Sequence, residues 1–353
     1  MALDFESRID AFEKLGIWLD SYLNEAETQT FSDDYSFEFH EVVERQAWQY
    51  GWFTLHNIRC ALTSIRDILQ TESLSKLKFV YGNILSKMFN PQRVAVVGAG
   101  IFPASAFYDF MMVLLTGNSL ILRLQKDDSL LVPALAKKLI FVEPDFAERI
   151  EFVDRISDFD KIIVVEESCP STIIAEYFSR CPIWVHKRQR AVAILTGNET
   201  SANLKALSED ICRYFGASYR SVTKLYVPRK YNFSPLLQAI RLQSENLNAY
   251  NAFLSNLEYQ KGIALLNSIP FLDAGPMIVM ENEALFAPKS VLHYVYYDKM
   301  EEVVKDCETY SEEISCIVAQ PGISPHYVPF GDTYLHDFQS NTVVSDIIDF
   351  LLG

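Results

Sequence analysis

The chain has 353 residues, 49% of them apolar and 22% charged, with a formal net charge of −15. That length exceeds one compact core, so the composition predicts a globular protein of two lobes. The acidic balance excludes a broad nucleic-acid footprint and adhesion to anionic membrane surfaces, both of which need clustered basic charge.

The N-terminus, "MALDFESRIDAFEKL", is acidic and amphipathic, without the basic and apolar regions of a signal peptide. Ile9, Phe12, Leu15, Leu19 and Leu23 recur at three- and four-residue spacing, which makes the first ninety residues helical. Thr54 is the expected N-cap of a further helix through "LHNIRCALTSIRDIL". The most apolar stretch, "FYDFMMVLLTGNSLILRL", is interrupted by Asp109, Thr116, Gly117 and Asn118, and no uninterrupted run reaches the roughly 18 residues a membrane span needs. A cytoplasmic protein is the expectation.

From residue 93 the texture changes. "RVAVVGAGIF" reads as a buried strand entering a glycine turn, "DFMMVLLTG" as a helix closed by Gly117, "SLILRL" as a second buried strand, and "LLVPALAKKLIFV" as the next helix. "KIIVVEE" and "RAVAILTG" continue the alternation, which predicts right-handed βαβ units, a mostly parallel sheet and a Rossmann-like lobe. The "GAG" after the first strand invites a dinucleotide fingerprint, but Pro103 stands where the third glycine of GxGxxG belongs. A tight strand-to-helix turn is the alternative reading.

Six cysteines (Cys60, Cys169, Cys181, Cys212, Cys307, Cys316) form no CxxC pair and read as buried free thiols. The histidines His40, His56, His186, His293, His326 and His336 are scattered without an HxxxH pair, so no metal site is expected.

In "DICRYFGASYRSVTKLYVP" a helical segment meets a small-residue turn and then a β-branched run, with Tyr219 on the turn. This segment resembles the catalytic loop of the acyl-CoA reductases related to the bacterial-luminescence fatty acid reductase, a branch of the aldehyde dehydrogenase superfamily. The blocks "GWFTLHNIRCAL", "EPDFAERIEFV", "VAILTGNET", "EDICRYFG", "TKLYVP", "NSIPFLDAG", "EALFAPKSVLHY" and "VPFG" fall in the order and spacing of the Bacteroidetes-type group, so the resemblance covers nearly the whole chain.

Three functional places depart from the family pattern. The nucleophilic cysteine is replaced by Tyr219, and a phenol with an ordinary pKa near 10 is a poor substitute for a thiol near 8.5. Arg220 favours a phenolate electrostatically and Ser218 adds a hydroxyl, but no histidine is placed to act as base; the alternative is that the Tyr219 ring fills the acyl tunnel, while Cys212 belongs to the core. In "AGIFP" the family's oxyanion-binding asparagine is replaced by Ile101, which cannot donate; such donors contribute roughly 3 to 4 kcal/mol to the transition state. After "DKIIVV", the family's Thr-Gly-Ser at the pyrophosphate-binding helix is replaced by Val165, Glu166 and Glu167, whose carboxylates either repel phosphate or simply favour the dipole of an empty helix end.

Other positions match. Arg123 takes the place of the cofactor-ribose lysine and either holds a 2′-phosphate or sits on the surface at a strand end. Lys224 belongs to the scaffold behind the catalytic loop, and Phe286 with Pro288 resembles the superfamily's Phe-Gly-Pro segment beside the nicotinamide ribose.

The resemblance implies an aldehyde dehydrogenase-like α/β fold: residues 1–190 as helical N-terminus and Rossmann-like lobe, 191–325 as the lobe carrying the nucleophile loop, and 326–353 as a C-terminal arm. "NTVVSDIIDFLL" in that arm is apolar enough to pair with a neighbouring subunit, so a homodimer is expected. Two functions compete. One is an inactive family member that needs no cofactor and binds a partner, such as an active paralogue or an acyl-transfer enzyme, or an acyl-CoA or fatty acyl ligand. The other is an active NADPH-dependent acyl-CoA reductase with an unusual nucleophile or cofactor pose.

Overall fold

The computed structural model describes residues 3–87, 90–166, 181–247, 250–323, 327–334 and 342–353. The chain divides into two compact units, residues 1–187 with 335–353, and residues 188–334.

The first unit opens with four helices, α1 (Phe5–Thr28), α2 (Asp34–Gln49), α3 (Leu55–Ile68) and α4 (Thr71–Leu85). Their starts are written in the sequence: the side chains of Asp4, Asp33 and Thr54 accept the N–H groups of Ser7, Ser36 and Asn57, satisfying donors the first turns would leave open. The sheet that follows has the order β3-β2-β1-β4-β5, from β1 (Arg93–Val97), β2 (Ser119–Arg123), β3 (Ile150–Phe152), β4 (Lys161–Val165) and β5 (Ile183–His186), with every pairing parallel. Helices α5 (Phe107–Leu115) and α6 (Leu131–Val142) connect the first strands.

Alternation along β1 serves two cores. Val94 and Val96 pack into the large cluster with Phe12, Leu15, Phe110 and Leu135, while Ala95 and Val97 face a second cluster with Ile121, Ile162 and Val164. A strand buried on both faces reads as a continuous apolar run, which is why "VAVV" was legible.

The C-terminal helix α12 (Thr342–Leu352) belongs to this unit. Val344, Ile347, Ile348 and Leu351 are buried in the same cluster as Phe110 and Leu120. Buried Lys161 donates from Nζ to the Phe350 carbonyl at 2.6 Å, and Asn118 donates to the Leu351 carbonyl at 3.0 Å, so both end carbonyls are held by the core. The apolar face expected to pair with a neighbouring subunit is therefore used within its own unit, and 326–353 is not one arm: residues up to 334 belong to the second unit.

That second unit carries a sheet of order β11-β6-β7-β10-β9-β8, built from β6 (Arg190–Ile194), β7 (Val222–Pro228), β8 (Leu272–Asp273), β9 (Ile278–Glu281), β10 (Val291–Tyr297) and β11 (Ile314–Val318). Only the β8–β9 pairing is antiparallel among the described residues. Its helices are α7 (Ser201–Cys212), α8 (Ser234–Arg241), α9 (Ser244–Leu247), α10 (Asn251–Leu266) and α11 (Met300–Thr309). Among the described residues no helix is long and apolar enough to cross a membrane.

Candidate functional site

Two places carry the residues singled out by sequence: the carboxyl edge of the first sheet, and the turn between α7 and β7 in the second unit. Carboxyl edges of parallel strands are where ligands of such folds bind, because the following helix N-termini aim their free N–H groups there.

At the end of β1 the chain turns through Gly98 to Ser105 before α5. Gly100 has φ +61°, and a Cβ there would lie 2.9 Å from Gln125 Cβ, so this position needs glycine for a tight turn. Three N–H groups of the turn, those of Gly100, Ala104 and Ser105, already have side-chain acceptors. The buried Asp128 carboxylate accepts the N–H of Ala104 at 2.8 Å, the N–H of Ser105 at 3.1 Å and the Ser105 hydroxyl at 3.1 Å, and the same hydroxyl accepts the Gly100 N–H. Burial pushes the Asp128 carboxyl up to about 7 against the pull of those donors. A protein carboxylate thus takes up the N–H groups of Ala104 and Ser105 at the head of α5. Ile101 is half-buried in its middle.

Arg123, at the end of β2, donates from Nε to the Asp154 carbonyl at 3.1 Å. Glu166 directly follows β4, with its N–H on the His186 carbonyl and its side chain exposed; Glu167 lies outside the described residues. Sequence reasoning overlooked a neighbouring pair: His186 Nε2 lies 2.8 Å from Asp109 Oδ1 in α5. Burial opposes charge on this imidazole, yet the Asp109 carboxylate outweighs it and holds the His186 pKa above its ordinary value.

Tyr219 sits on the turn between α7 and β7, half-buried, with the Arg220 guanidinium 5.9 Å from its ring centroid. Its carbonyl accepts the Ser315 hydroxyl at 2.7 Å. Arg220 donates to the Thr333 carbonyl at 2.8 Å, so that guanidinium is a strut between two segments as well as a cation beside the phenol. Ser218 and Ser221 are fully buried, and the Ser221 hydroxyl lies 3.0 Å from Tyr334 Oη. Cys212 is buried and its thiol is pushed up to about 12, as a core residue should be.

The approach to the turn is strained. Tyr214 and Phe215 both adopt left-handed backbone, at φ +54° and +57°, where each non-glycine residue costs roughly 1 to 2 kcal/mol. Aromatic packing offsets this: Tyr214 meets Tyr334 edge-on at 5.3 Å, and Phe215 meets Phe253 at 5.0 Å. No sequence rule places two aromatic residues there.

The Phe286 segment is held by a second device that the sequence does not announce. Three successive carbonyls accept side chains: Glu283 from Lys224 Nζ at 2.9 Å, Ala284 from His293 Nδ1 at 2.8 Å, and Leu285 from the Thr223 hydroxyl at 2.9 Å. Burial lowers the His293 pKa, and a carbonyl partner requires the proton on Nδ1. Phe286 itself carries the Arg188 guanidinium 4.2 Å from its ring centroid. Beside Lys224 opens a cleft of about 300 Å³ lined by Tyr226, Glu283, Tyr296, Tyr297 and Asp306.

His56 and Cys60 stand at i and i+4 on α3, with Nε2 and Sγ 3.6 Å apart. They form a pair only, and among the described residues no group of three or more metal-ligating side chains is present. Cys212 and Cys307 are buried, whereas Cys60, Cys181 and Cys316 are partly exposed, and Cys169 lies outside the described residues.

No family model matches the chain, and no curated protein matches it. Its fold, however, is aldehyde dehydrogenase-like. It is similar to aldehyde dehydrogenase 21 from Physcomitrella patens, solved with the reaction product succinate, at a TM-score of 0.64 and 13% identity over 99% of this chain and 88% of that one. The aldehyde dehydrogenase of Bacillus cereus in its NAD+ complex gives 0.60 and 12%, over 99% and 74% of the two chains. An acetylating aldehyde dehydrogenase from Geobacillus thermoglucosidasius gives 0.56 and 12%, over 89% and 76%. Identities this low speak for the fold alone.

Proposed function

We propose that this chain is an acyl-CoA reductase-like protein that has lost thioester reduction and keeps the fold to bind an acyl ligand or a protein partner. The observation that carries this reading is Tyr219 on the turn where the resemblance puts the nucleophilic cysteine. Thioester reduction needs a group that attacks the acyl carbon, holds it through hydride transfer and leaves, and a phenol performs each of these steps worse than a thiolate.

The first sheet's edge supports the same reading. A nicotinamide dinucleotide, which the fold family implies, fits these residues poorly: Asp128 occupies the donors after β1, and Glu166 presents a carboxylate after β4. Two unit charges of like sign at 4 Å repel by roughly 4 kcal/mol at an effective dielectric of 20. Ile101 offers no donor to an oxyanion. Partner classes that suit a silent member are a second copy, an active paralogue or an acyl-transfer enzyme.

The competing reading is an active NADPH-dependent reductase with a different nucleophile or cofactor pose. Arg123 favours it, since a guanidinium at the end of β2 suits a 2′-phosphate. Titration of the protein with NADPH and NADH, followed by fluorescence, and assays of acyl-CoA reduction across chain lengths decide between them. The silent reading expects neither binding at micromolar dinucleotide nor turnover; thioester-dependent oxidation of NADPH would end it. Native mass spectrometry tests the acyl ligand, and a protein that carries no lipid or CoA ester and takes none up leaves partner binding alone.

A further inference from the structure

We infer that residues Gly331–Tyr334 form a strap that positions the Tyr219 turn, and that Asp210 is the positioning residue that holds the strap down.

Asp210, in the last turn of α7, is fully buried. One carboxylate oxygen accepts the Gly331 N–H at 2.7 Å and the other accepts the Thr333 hydroxyl at 2.6 Å. Gly331 has φ +93°, and a Cβ there would lie 3.2 Å from Ala206 Cβ, so glycine lets the strap lie against α7. From this anchor the strap reaches the turn twice. The Thr333 carbonyl takes the Arg220 guanidinium, and the Tyr334 hydroxyl meets Ser221. The Arg213 guanidinium covers the Tyr334 ring at 4.6 Å from its centroid, and Tyr214 packs edge-on against it. Arg220 and Ser221, the two residues that follow Tyr219, are therefore held by a segment more than a hundred positions away, and Asp210 anchors that segment at its centre.

A buried carboxylate makes such an anchor sensitive to pH. Burial raises the Asp210 pKa to about 6, opposed by Thr333, Gly331 and Arg213. The other titratable groups facing it are Cys316 on β11 and Tyr334 in the strap; burial raises both, so they stay neutral through acid and neutral pH. A lifted strap would expose Asp210 to water and return its pKa toward 3.9. The closed state therefore binds the proton more tightly, and ionisation favours opening.

This inference rests on reading the Tyr219 turn as the site, but its test needs no ligand, so it fails or stands apart from the proposed function. Hydrogen exchange of the intact protein, corrected for intrinsic rates and read in peptides spanning 217–222 and 328–334, is measured from pH 4 to 8. The wild-type opening equilibrium should rise about 50-fold between pH 4 and 7, by about sixfold per unit at its steepest and levelling above 6, in both peptides together. Asp210→Asn should flatten the profile, and Thr333→Val should open both peptides at every pH while keeping the slope. A flat wild-type profile, an Asp210→Asn protein that retains the slope, or a Thr333→Val protein whose turn stays as protected as wild type would each overturn it. Should Asp210→Asn fail to fold, the wild-type profile and Thr333→Val decide the matter.

Discussion

Asp128 gives the sharpest test of how the first sheet's edge is built. Its carboxyl is buried and pushed up to about 7, against roughly 3.9 in an unfolded chain. Because the folded value lies above the unfolded one, the group contributes stability that is fully present below pH 3.9 and is lost as pH rises toward 7. Three units correspond to about 4 kcal/mol, or about 1.4 kcal/mol per pH unit across the window. Asp128→Asn keeps an acceptor for the Ala104 and Ser105 donors and removes the ionisation. All four tryptophans, Trp18, Trp48, Trp52 and Trp184, lie in the first unit, so urea unfolding followed by tryptophan fluorescence reads that unit without interference from Asp210. Wild-type stability should fall by about 2 kcal/mol from pH 5 to 7 more than that of Asp128→Asn does. Equal slopes for the two proteins would show that Asp128 ionises without cost, and the argument that a buried charge-bearing group takes up these donors would fail.

Three further outcomes follow from the same coordinates. Tyr219→Cys should give no acyl-CoA reductase, because introducing a thiol leaves Asp128 and Glu166 at the first sheet's edge; NADPH oxidation dependent on acyl-CoA in this variant would refute that. Lys161→Met should orphan the Phe350 carbonyl and destabilise the docked α12 by about 1 to 3 kcal/mol, seen as faster proteolytic release of the C-terminus. Gly100→Ala should cost about 1 to 3 kcal/mol in the tryptophan-monitored transition, through both its φ of +61° and the 2.9 Å approach to Gln125. An unchanged midpoint would mean that the turn adapts.

Much of the fold was legible because it rests on local chemistry. Thr54 caps α3 with its own side chain as expected, and "RVAVV", "SLILR" and "KIIVV" are apolar enough to be strands buried on both faces. The place of α12 was not legible, since an apolar helix face says only that something covers it. Lys161 and Asn118, distant in sequence, decide that the cover is the first unit's own core. The left-handed pair Tyr214 and Phe215 was hidden for the opposite reason: local preference forbids it, and tertiary packing on Tyr334 and Phe253 overrides that preference.

The site divides along the same line. Position in the chain sufficed to put Tyr219 on the turn and Arg123 and Glu166 at strand ends, because each follows directly from where an element stops. What those positions are wired to did not follow, because Asp128, Asp210 and His293 reach their hydrogen-bond partners across 9 to 123 positions of sequence. The distinction bears on function. A lone tyrosine for cysteine leaves open whether the turn was retuned or abandoned. A turn whose flanking residues are pinned by Ser315, Thr333 and Tyr334, in a chain that spends a buried carboxylate on the N–H groups at the head of α5, has been kept rigid. Asp128 and Asp210 each cost stability as they ionise, so the first sheet's edge and the Tyr219 turn hold their shape best below neutral pH.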